Sequence, residues 1–450
     1  MLLRTALLTG MIAAVVAGAP VARADGPTTI DITFGRSDGT TTTGTIHAPA
    51  DATGRPGVVL VHGSGTSPSP QYAQVAAALA RQGIVALTYA KRTEGYTPAH
   101  RDYSLLAEDA LAGVAALRAR PEVDPAKVGL WGLSEGGWVA PMATARSADV
   151  AFLITIGANS GAPAAQQNWA NETRFAAGGV RGSMMDRLGR NAIRVSAGAG
   201  LFAQADYDPT PVLESIRQPV LGIWGELDRL TPPGDSLRGF QEAFDRVGKT
   251  NYTLRTLPNA QHGGFTTTDG FDKGKDLAPG YAELMGDWVN ALPASADRSA
   301  DRPAAQAHSV SPLNPLAWWE SPAALLAVLV TTVLALAGYA LTGLVRAWRL
   351  PNPGPARILV VTAGIGVLGT IAQLLWVAST RATSFGPLLF GRTLPWVALQ
   401  VIAVCAVVAL GFVVARGGGG SAGARTRWVL LMCGGVGFTL WALYWGLLLP

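Results

Sequence analysis

Cysteine is scarce in this sequence. The 450 residues contain two, Cys405 and Cys433, and both lie inside apolar runs near the C-terminus. A disulfide framework and a zinc site built on thiolates are therefore excluded for the part of the chain that precedes them. We interpret both cysteines as small hydrophobic residues within a membrane.

Lysine and both acidic residues are absent from the C-terminal part. Residues 321–450 contain eight arginines and no lysine, aspartate or glutamate, whereas residues 25–292 carry 23 basic and 27 acidic residues (23 − 27 = −4). The chain as a whole has a formal net charge of +5, but residues 25–292 are mildly acidic and the C-terminal part is basic. No basic stripe with interleaved aromatic residues occurs, so nucleic-acid binding is not expected. No cluster of histidine and carboxylates has the spacing of metal ligands, so neither a metal nor a cofactor is expected.

The first 24 residues have the three parts of a secretory signal. Arg4 provides the positive charge, residues 5–19 form an apolar core, and Ala22-Arg23-Ala24 is a small-residue cleavage site. The alternative is an uncleaved anchor, but the apolar core is short for a span of about 20 residues. We therefore predict a signal peptide over 1–24 that is removed after Ala24.

Apolar runs long enough to cross a membrane are confined to the last 130 residues. Four of them have the length of membrane-crossing helices, at about 323–345, 358–379, 396–414 and 428–449. The first and third loops between them hold three arginines each and the second holds two, which predicts that the first and third face the cytoplasm. Residues 322–450 are thus predicted to be an all-α transmembrane four-helix bundle, with the N-terminal domain outside the cytoplasm.

Residues 293–321 separate the two parts. Alanine, serine, aspartate and proline dominate this segment, a composition that cannot build a core of its own. It is predicted to be a flexible linker.

Residues 25–292 alternate unbroken apolar runs with helical patterns. After an opening hairpin, the strand patterns GVVLVH, IVALTY, KVGLWG, VAFLITI, PVLGIW and YTLRTLP follow in order. Such runs predict an α/β fold with a mostly parallel sheet and helices on both faces. Residues 157–218 lack strand patterns, and we predict a helical lid there.

A serine is flanked by glycines two positions away on each side, Gly132 and Gly136 around Ser134. A serine at the tip of a strand-to-helix turn needs an unusual backbone conformation, and side chains at these two positions would collide. The predicted strand 127–132 and helix 135–146 provide that context. We predict that Ser134 is a nucleophile; the alternative is a glycine-rich turn.

A serine hydroxyl needs a base, and five histidines are available. His262 directly follows the last predicted strand, where the chain order serine, acid, histidine requires the base. The acid should follow the strand PVLGIW, where Glu226 and Asp228 both occur; we favour Asp228 because it lies in the loop proper. It would hold the imidazole in the correct tautomer.

The sequence His62-Gly63-Ser64-Gly65 follows the first long apolar strand. Small residues there allow backbone amides to approach a substrate oxygen. The amides of Ser64 and Glu135 are predicted to form an oxyanion hole, with Gly63 as an alternative donor. His62 is expected to have a structural role.

Five segments together resemble the α/β-hydrolase superfamily, most of all the bacterial serine aminopeptidase-like and prolyl-oligopeptidase-like hydrolases: VHGSG, IVALTYAKR, RARPEVDPAKVGLWGLSEGGWVAP, IWGELDRLTPP and NAQHGGF. The resemblance covers about 56–292 and implies an α/β-hydrolase fold, with Ser134 as nucleophile, Asp228 as acid and His262 as base. Relatives often have Tyr-Asp-x-Arg-Gly where this chain has Tyr-Ala-Lys-Arg-Thr at 89–93.

The sequence therefore predicts a membrane-tethered, extracytoplasmic serine hydrolase that cleaves a carboxylic ester through an acyl-enzyme. A peptidase of the aminopeptidase or prolyl-peptidase type is the alternative within enzymes. A binding or sensing module coupled to the membrane bundle is the alternative of another class. Expected partners are a small-molecule substrate and the lipid bilayer.

Overall fold

The computed structural model of the protein describes residues 26–66, 68–292, 298–344, 353–418 and 420–450. The predicted signal peptide lies outside these residues, as do Arg346 and Arg349 of the first predicted cytoplasmic loop. The strands are β1 Thr28–Gly35, β2 Thr41–Ala48, β3 Arg55–Val61, β4 Val85–Tyr89, β5 Val123–Leu133, β6 Leu153–Ile156, β7 Val220–Gly225, β8 Tyr252–Leu257, β9 Ser299–Ala300, β10 Leu388–Leu389 and β11 Arg392–Thr393. The helices are α1 Ala73–Arg81, α2 Tyr103–Arg118, α3 Gly136–Arg146, α4 Pro163–Ala177, α5 Arg190–Gly198, α6 Thr210–Ser215, α7 Pro233–Arg246, α8 Tyr281–Asn290, α9 Pro322–Thr342, α10 Gly354–Ser379, α11 Leu394–Arg416 and α12 Ala422–Trp445.

Nine strands form one sheet in the order β1-β2-β4-β3-β5-β6-β7-β8-β9. The pairs β1/β2 and β2/β4 are antiparallel, and every pair from β4/β3 onwards is parallel. The predicted α/β fold with an opening hairpin and a mostly parallel sheet is confirmed.

Apolar side chains cover both faces of this sheet. Helices α2, α3 and α7 pack on one face, and α1 and α8 pack on the other. The indoles of Trp131 and Trp224 are completely buried. Fully burying one large apolar side chain stabilises a fold by about 1.5–3 kcal/mol, so these two layers hold the sheet rigid beneath the loops at its edge.

The register of the central strands aligns their carboxyl ends. Leu133 at the end of β5 pairs with Ile156 at the end of β6, and Gly225 at the end of β7 pairs with Leu257 at the end of β8. Residues that follow these strands therefore emerge at one edge of the sheet.

Helices α9 to α12 are each long and apolar enough to cross a membrane. Their ends lie within a few residues of the predicted spans, except that α10 and α12 begin earlier. Leu359, Ala403 and Phe438, from three of these helices, are buried in a shared core. Cys405 and Cys433 are exposed on the outside of the helices, where lipid would surround them.

The insertion between β6 and β7 is helical, with α4, α5, α6 and a π-helical turn at Met184–Gly189. One end of α4 lies beside the loop after β7, where the Gln166 side chain donates to the Leu230 carbonyl at 2.9 Å. The other end packs on the loop between α10 and α11, with the Phe175 and Phe385 rings 5.3 Å apart.

Polar contacts strengthen the attachment of the insertion to the bundle. The Ser183 amide donates to the carbonyl of Pro450 at 3.0 Å, and the Asn191 side chain donates to the carbonyl of Tyr444 at 2.8 Å. The insertion thus joins the sheet domain to one end of the bundle.

The segment 298–321, predicted from the sequence to belong to a flexible linker, contacts the rest of the chain in the structure. Its strand β9 adds to the sheet beside β8, the Trp169 indole donates to the His308 carbonyl at 2.8 Å, and Arg194 forms an ion pair with Glu320 at 2.7 Å. A segment too polar to build its own core can still pair with a sheet edge and with buried polar side chains. Residues 293–297 lie outside the described residues.

Candidate active site

Ser134 lies in the turn between β5 and α3. Its φ of +56° places a non-glycine residue in the left-handed region, which costs about 1–3 kcal/mol and persists only where the surroundings enforce it. The turn packs closely against its surroundings, and the neighbouring glycines make that packing possible. A Cβ at Gly132 would overlap the Gly136 carbonyl, and a Cβ at Gly136 would meet the Val61 carbonyl oxygen. The turn is therefore closed to larger residues at both positions.

Asp228 and His262 meet at the ends of β7 and β8. His262 Nδ1 lies 2.8 Å from Asp228 Oδ2, and the Asp228 carboxylate is completely buried. The other carboxylate oxygen accepts from the amides of Leu230 and Thr231, both at 2.8 Å. The carboxylate is thus held in place by three hydrogen bonds. Glu226, the other acid considered from the sequence, is exposed and does not make this contact.

Ser134 and His262 flank the end of the same strand, β6. The Ser134 amide donates to the carbonyl of Ile156 at 3.0 Å. The next residue, Gly157, has a φ of +53°, and a Cβ there would lie 2.8 Å from His262 Nδ1. Only glycine allows the imidazole to approach the strand so closely. The structure therefore brings the three loops that carry Ser134, Asp228 and His262 to one place.

The loop after β3 presents backbone amides beside Ser134. The Gly63 amide donates to the Tyr72 hydroxyl at 3.1 Å, and the Gly65 amide donates to the Tyr96 hydroxyl at the same distance. Within the part of the chain that the structure describes, no acceptor contacts the amide of Ser64 or that of Glu135. Gly63, the alternative donor in the sequence prediction, is therefore already engaged, which leaves the other two amides available.

A family model described as "Alpha/beta hydrolase family" matches residues 58–273. Residues 58–273 form an α/β-hydrolase domain. No curated protein matches the chain.

Several solved structures resemble the hydrolase domain. A dienelactone hydrolase from Anabaena variabilis is 19% identical, with 59% of this chain and 98% of that one covered and a TM-score of 0.38. An esterase from Pyrococcus furiosus is 19% identical, with coverage of 59% and 91% and a TM-score of 0.42. A dipeptidyl peptidase 4 from Porphyromonas gingivalis is 14% identical, with coverage of 59% and 36% and a TM-score of 0.41.

A buried charged network, which sequence reasoning missed, surrounds the side chain of Glu135. Lys91 Nζ lies 2.6 Å from one carboxylate oxygen, and the Tyr96 hydroxyl lies 2.8 and 2.9 Å from the two oxygens. Arg101 lies 3.2 Å from the second oxygen. Burial lowers the pKa of Lys91, and the negative charge of Glu135 opposes this shift. Burial raises the pKa of Tyr96, and the negative charge of Glu135 raises it further. The only signals of this network in the sequence are Glu135, a single charged residue next to Ser134, and Lys91, a charged residue after the apolar run IVALTY.

His62 directly follows β3, and its side chain lies between two tyrosine rings. Its imidazole is 5.4 Å from the Tyr72 ring and 4.6 Å from the Tyr89 ring, and it is almost fully buried. Burial, assisted by the positive charge of Lys91, lowers the pKa of His62 to about 3. The ring is therefore neutral at physiological pH and fills the space beneath the loop 62–65.

A cavity of about 240 Å³ borders His262 in the hydrolase domain. Leu133, Tyr72 and Phe265 form apolar parts of its wall, and Lys273 contributes a charge. Its size suits a small substrate group. Among the described residues, no group of three or more histidine, cysteine, aspartate and glutamate side chains is arranged to hold a metal ion.

Proposed function

We propose that the protein is a membrane-tethered, extracytoplasmic serine hydrolase that cleaves a carboxylic ester through an acyl-enzyme. The observation that carries the proposal is the 2.8 Å contact between His262 and the buried Asp228, on the strand ends next to a left-handed Ser134. A binding module has no need of a carboxylate behind a histidine. The hydrolase family match supports the same class of reaction.

In this mechanism the substrate carbonyl oxygen accepts hydrogen bonds from the amides of Ser64 and Glu135. His262 takes the proton of the Ser134 hydroxyl as the oxygen attacks the carbonyl carbon, and the oxyanion forms between the two amides. The tetrahedral intermediate collapses, and the imidazolium gives its proton to the departing alkoxide. Water, deprotonated by His262, then attacks the acyl-enzyme; as the bond to Ser134 breaks and the acid is released, the imidazolium returns its proton to the Ser134 oxygen. Asp228 accepts a hydrogen bond from the Nδ1–H of His262 and stabilises the imidazolium, and it does not itself become protonated.

An ester is proposed over a peptide because of the lining of the cavity beside His262. None of the described residues that line it is a carboxylate, and Lys273 is its only lysine or arginine. Glu172 in the insertion is engaged by the side chains of Asn168 and Arg190 at 2.8 and 3.3 Å. The described site thus offers no anchor for the ammonium group of a peptide amino terminus.

Covalent labelling with a fluorophosphonate probe tests the nucleophile. We expect labelling of wild type and none of Ser134→Ala, with His262→Ala labelled at least 100-fold more slowly, because general-base catalysis typically contributes about 10²–10⁴-fold. Wild type that fails to label would favour the binding or sensing module. Equal labelling of Ser134→Ala would assign another nucleophile.

A chromogenic panel tests the substrate class. It comprises nitrophenyl esters of short and long acids together with aminoacyl and prolyl nitroanilides. We expect hydrolysis of the esters that is lost in Ser134→Ala. Turnover of the amides with little or none of the esters would replace the esterase by the peptidase alternative.

The orientation across the membrane is supported by where the hydrolase domain touches the bundle. The insertion contacts Phe385 and Gly391 in the second loop and Pro450 at the C-terminus. Both lie at the bundle end that the arginine distribution assigns to the outside. A reporter fused in the loop 346–357 should respond as a cytoplasmic reporter; an extracytoplasmic signal there would reverse the orientation.

A further inference from the structure

One buried lysine touches both chain segments that carry the proposed oxyanion amides. Lys91 Nζ donates to the carbonyl of Gly63 at 2.7 Å and to the Glu135 carboxylate at 2.6 Å. The Lys91 side chain is 3% exposed and that of Glu135 is 1% exposed. The first contact is on the loop after β3, and the second is on the residue next to Ser134.

The contact with Gly63 acts on the Ser64 amide through the peptide plane. The carbonyl of Gly63 and the N–H of Ser64 belong to one planar trans peptide group and point in opposite directions. A donor fixed on the carbonyl oxygen therefore fixes the direction of the N–H. It also polarises the group, which makes the N–H a stronger donor.

The contact with Glu135 acts on the second amide. The carboxylate and the backbone N–H belong to the same residue, so anchoring the side chain restricts the position of the amide. Tyr96 adds a second connection, since its hydroxyl donates to Glu135 and accepts from the Gly65 amide at 3.1 Å. The Lys91 ammonium lies 4.0 Å from the centre of the Tyr96 ring, which stabilises the cation where water is excluded.

We propose that Lys91 and Glu135 are positioning residues that set the direction and separation of the two oxyanion donors. This inference rests on the proposed serine hydrolase function. An ion pair that only held the fold would need no bond from Lys91 to Gly63. Replacing a buried pair by apolar residues is often neutral for stability, so stability alone does not explain two buried charges here.

The decisive variant is Lys91→Met, which keeps an unbranched side chain one atom shorter and removes the charge and both bonds. Loss of one oxyanion donor typically costs about 10²–10³-fold in rate, and a misaligned donor costs less. We therefore expect kcat on the best nitrophenyl ester and the rate of fluorophosphonate labelling to fall by about 10- to 100-fold, with KM changed less than threefold. The thermal unfolding curve of the variant gives the temperature range in which it is folded, and kcat is compared with wild type within that range.

Lys249→Met is the matched control. Lys249 is also buried, and its ammonium donates to the carbonyls of Ile216 and Gln218 at 3.1 and 2.6 Å, near the start of β7 at the opposite edge of the sheet. We expect this control to lose stability with kcat within twofold of wild type. An equal loss of kcat in both variants, or no loss in a folded Lys91→Met, overturns the proposal.

A second variant covers the case in which Lys91→Met does not fold. Tyr96→Phe keeps the Lys91–Glu135 pair and removes the hydroxyl that joins Glu135 to the Gly65 amide. We expect kcat to fall about fivefold, the value of one hydrogen bond, with KM unchanged. An unchanged kcat contradicts the proposal. If wild type itself does not label, the serine hydrolase function fails first; if wild type labels and these variants match it, only the positioning role fails.

Discussion

Gly157 offers the sharpest test of the site geometry, because its missing side chain makes room for His262. An alanine Cβ at this position would lie 2.8 Å from both Nδ1 and the carbonyl oxygen of His262. Ordinary contact begins at 3.4 Å, so the histidine must retreat by about 0.6 Å (3.4 − 2.8). The bond to Asp228, now 2.8 Å, would lengthen towards the limit of a hydrogen bond.

The expected cost of Gly157→Ala has two parts. Forcing alanine into the left-handed region costs about 1–2 kcal/mol of stability. A displacement of about 1 Å at a reacting group can cost 100-fold in rate, so we expect kcat to fall by about 10- to 100-fold. Both quantities are measured on the same preparation, kcat with a nitrophenyl ester and stability by thermal unfolding.

Gly248→Ala separates the two parts. Gly248 has a φ of +68°, follows α7 at the opposite edge of the sheet, and has open space where a Cβ would stand. It should lose the stability that left-handed alanine costs, about 1–2 kcal/mol, without the collision with His262, and should keep kcat within twofold of wild type. If the two variants are equally destabilised and both retain full kcat, the position of His262 does not control the reaction and our reasoning about the site is refuted.

Three further predictions follow from the structure. Asp228→Asn should lower kcat about 10⁴-fold, because an amide in place of the buried carboxylate favours the wrong tautomer of His262; a loss below tenfold in the folded variant contradicts the assigned role. Below pH 6.5 an unfolded chain protonates His62, whereas the folded protein holds its pKa near 3, so the free energy of unfolding should fall with decreasing pH by up to about 1.4 kcal/mol per unit. In His62→Gln, the free energy of unfolding measured with urea should decline less steeply from pH 7 to pH 4 than in wild type. Identical slopes in the two proteins would show that His62 is not the source of the pH dependence. A chain that ends before Pro322 should leave Phe175 uncovered and scatter light unless detergent is added; a monodisperse fragment in plain buffer would show that the bundle does not protect the insertion.

Local sequence patterns were sufficient for the framework of the sheet domain. Unbroken apolar runs predicted the central strands because a parallel sheet is covered on both faces. The two glycines around Ser134 predicted a strained turn because one of the collisions they avoid, between a Cβ at Gly132 and the Gly136 carbonyl, lies within five residues. The lengths of the four C-terminal runs predicted helices α9 to α12, because a span is defined by consecutive apolar residues.

Contacts between distant segments could not be predicted in this way. The composition of 298–321 indicates only that it cannot fold alone, and its docking depends on a free edge of β8 that exists after the sheet has formed. The same holds for the insertion, whose contacts with the second bundle loop and with Pro450 join residues more than 200 positions apart.

The amino-acid sequence by itself determined the order of strands and helices, the strained serine turn, the chain order of Ser134, Asp228 and His262, and the four apolar helices, since each is written in local spacing. Only the tertiary structure decided that Asp228 rather than Glu226 contacts His262, that Gly157 makes room for the imidazole, and that Lys91 bridges Gly63 and Glu135. These are distances across a sheet edge, and they depend on strand register and on the exclusion of water around buried charge.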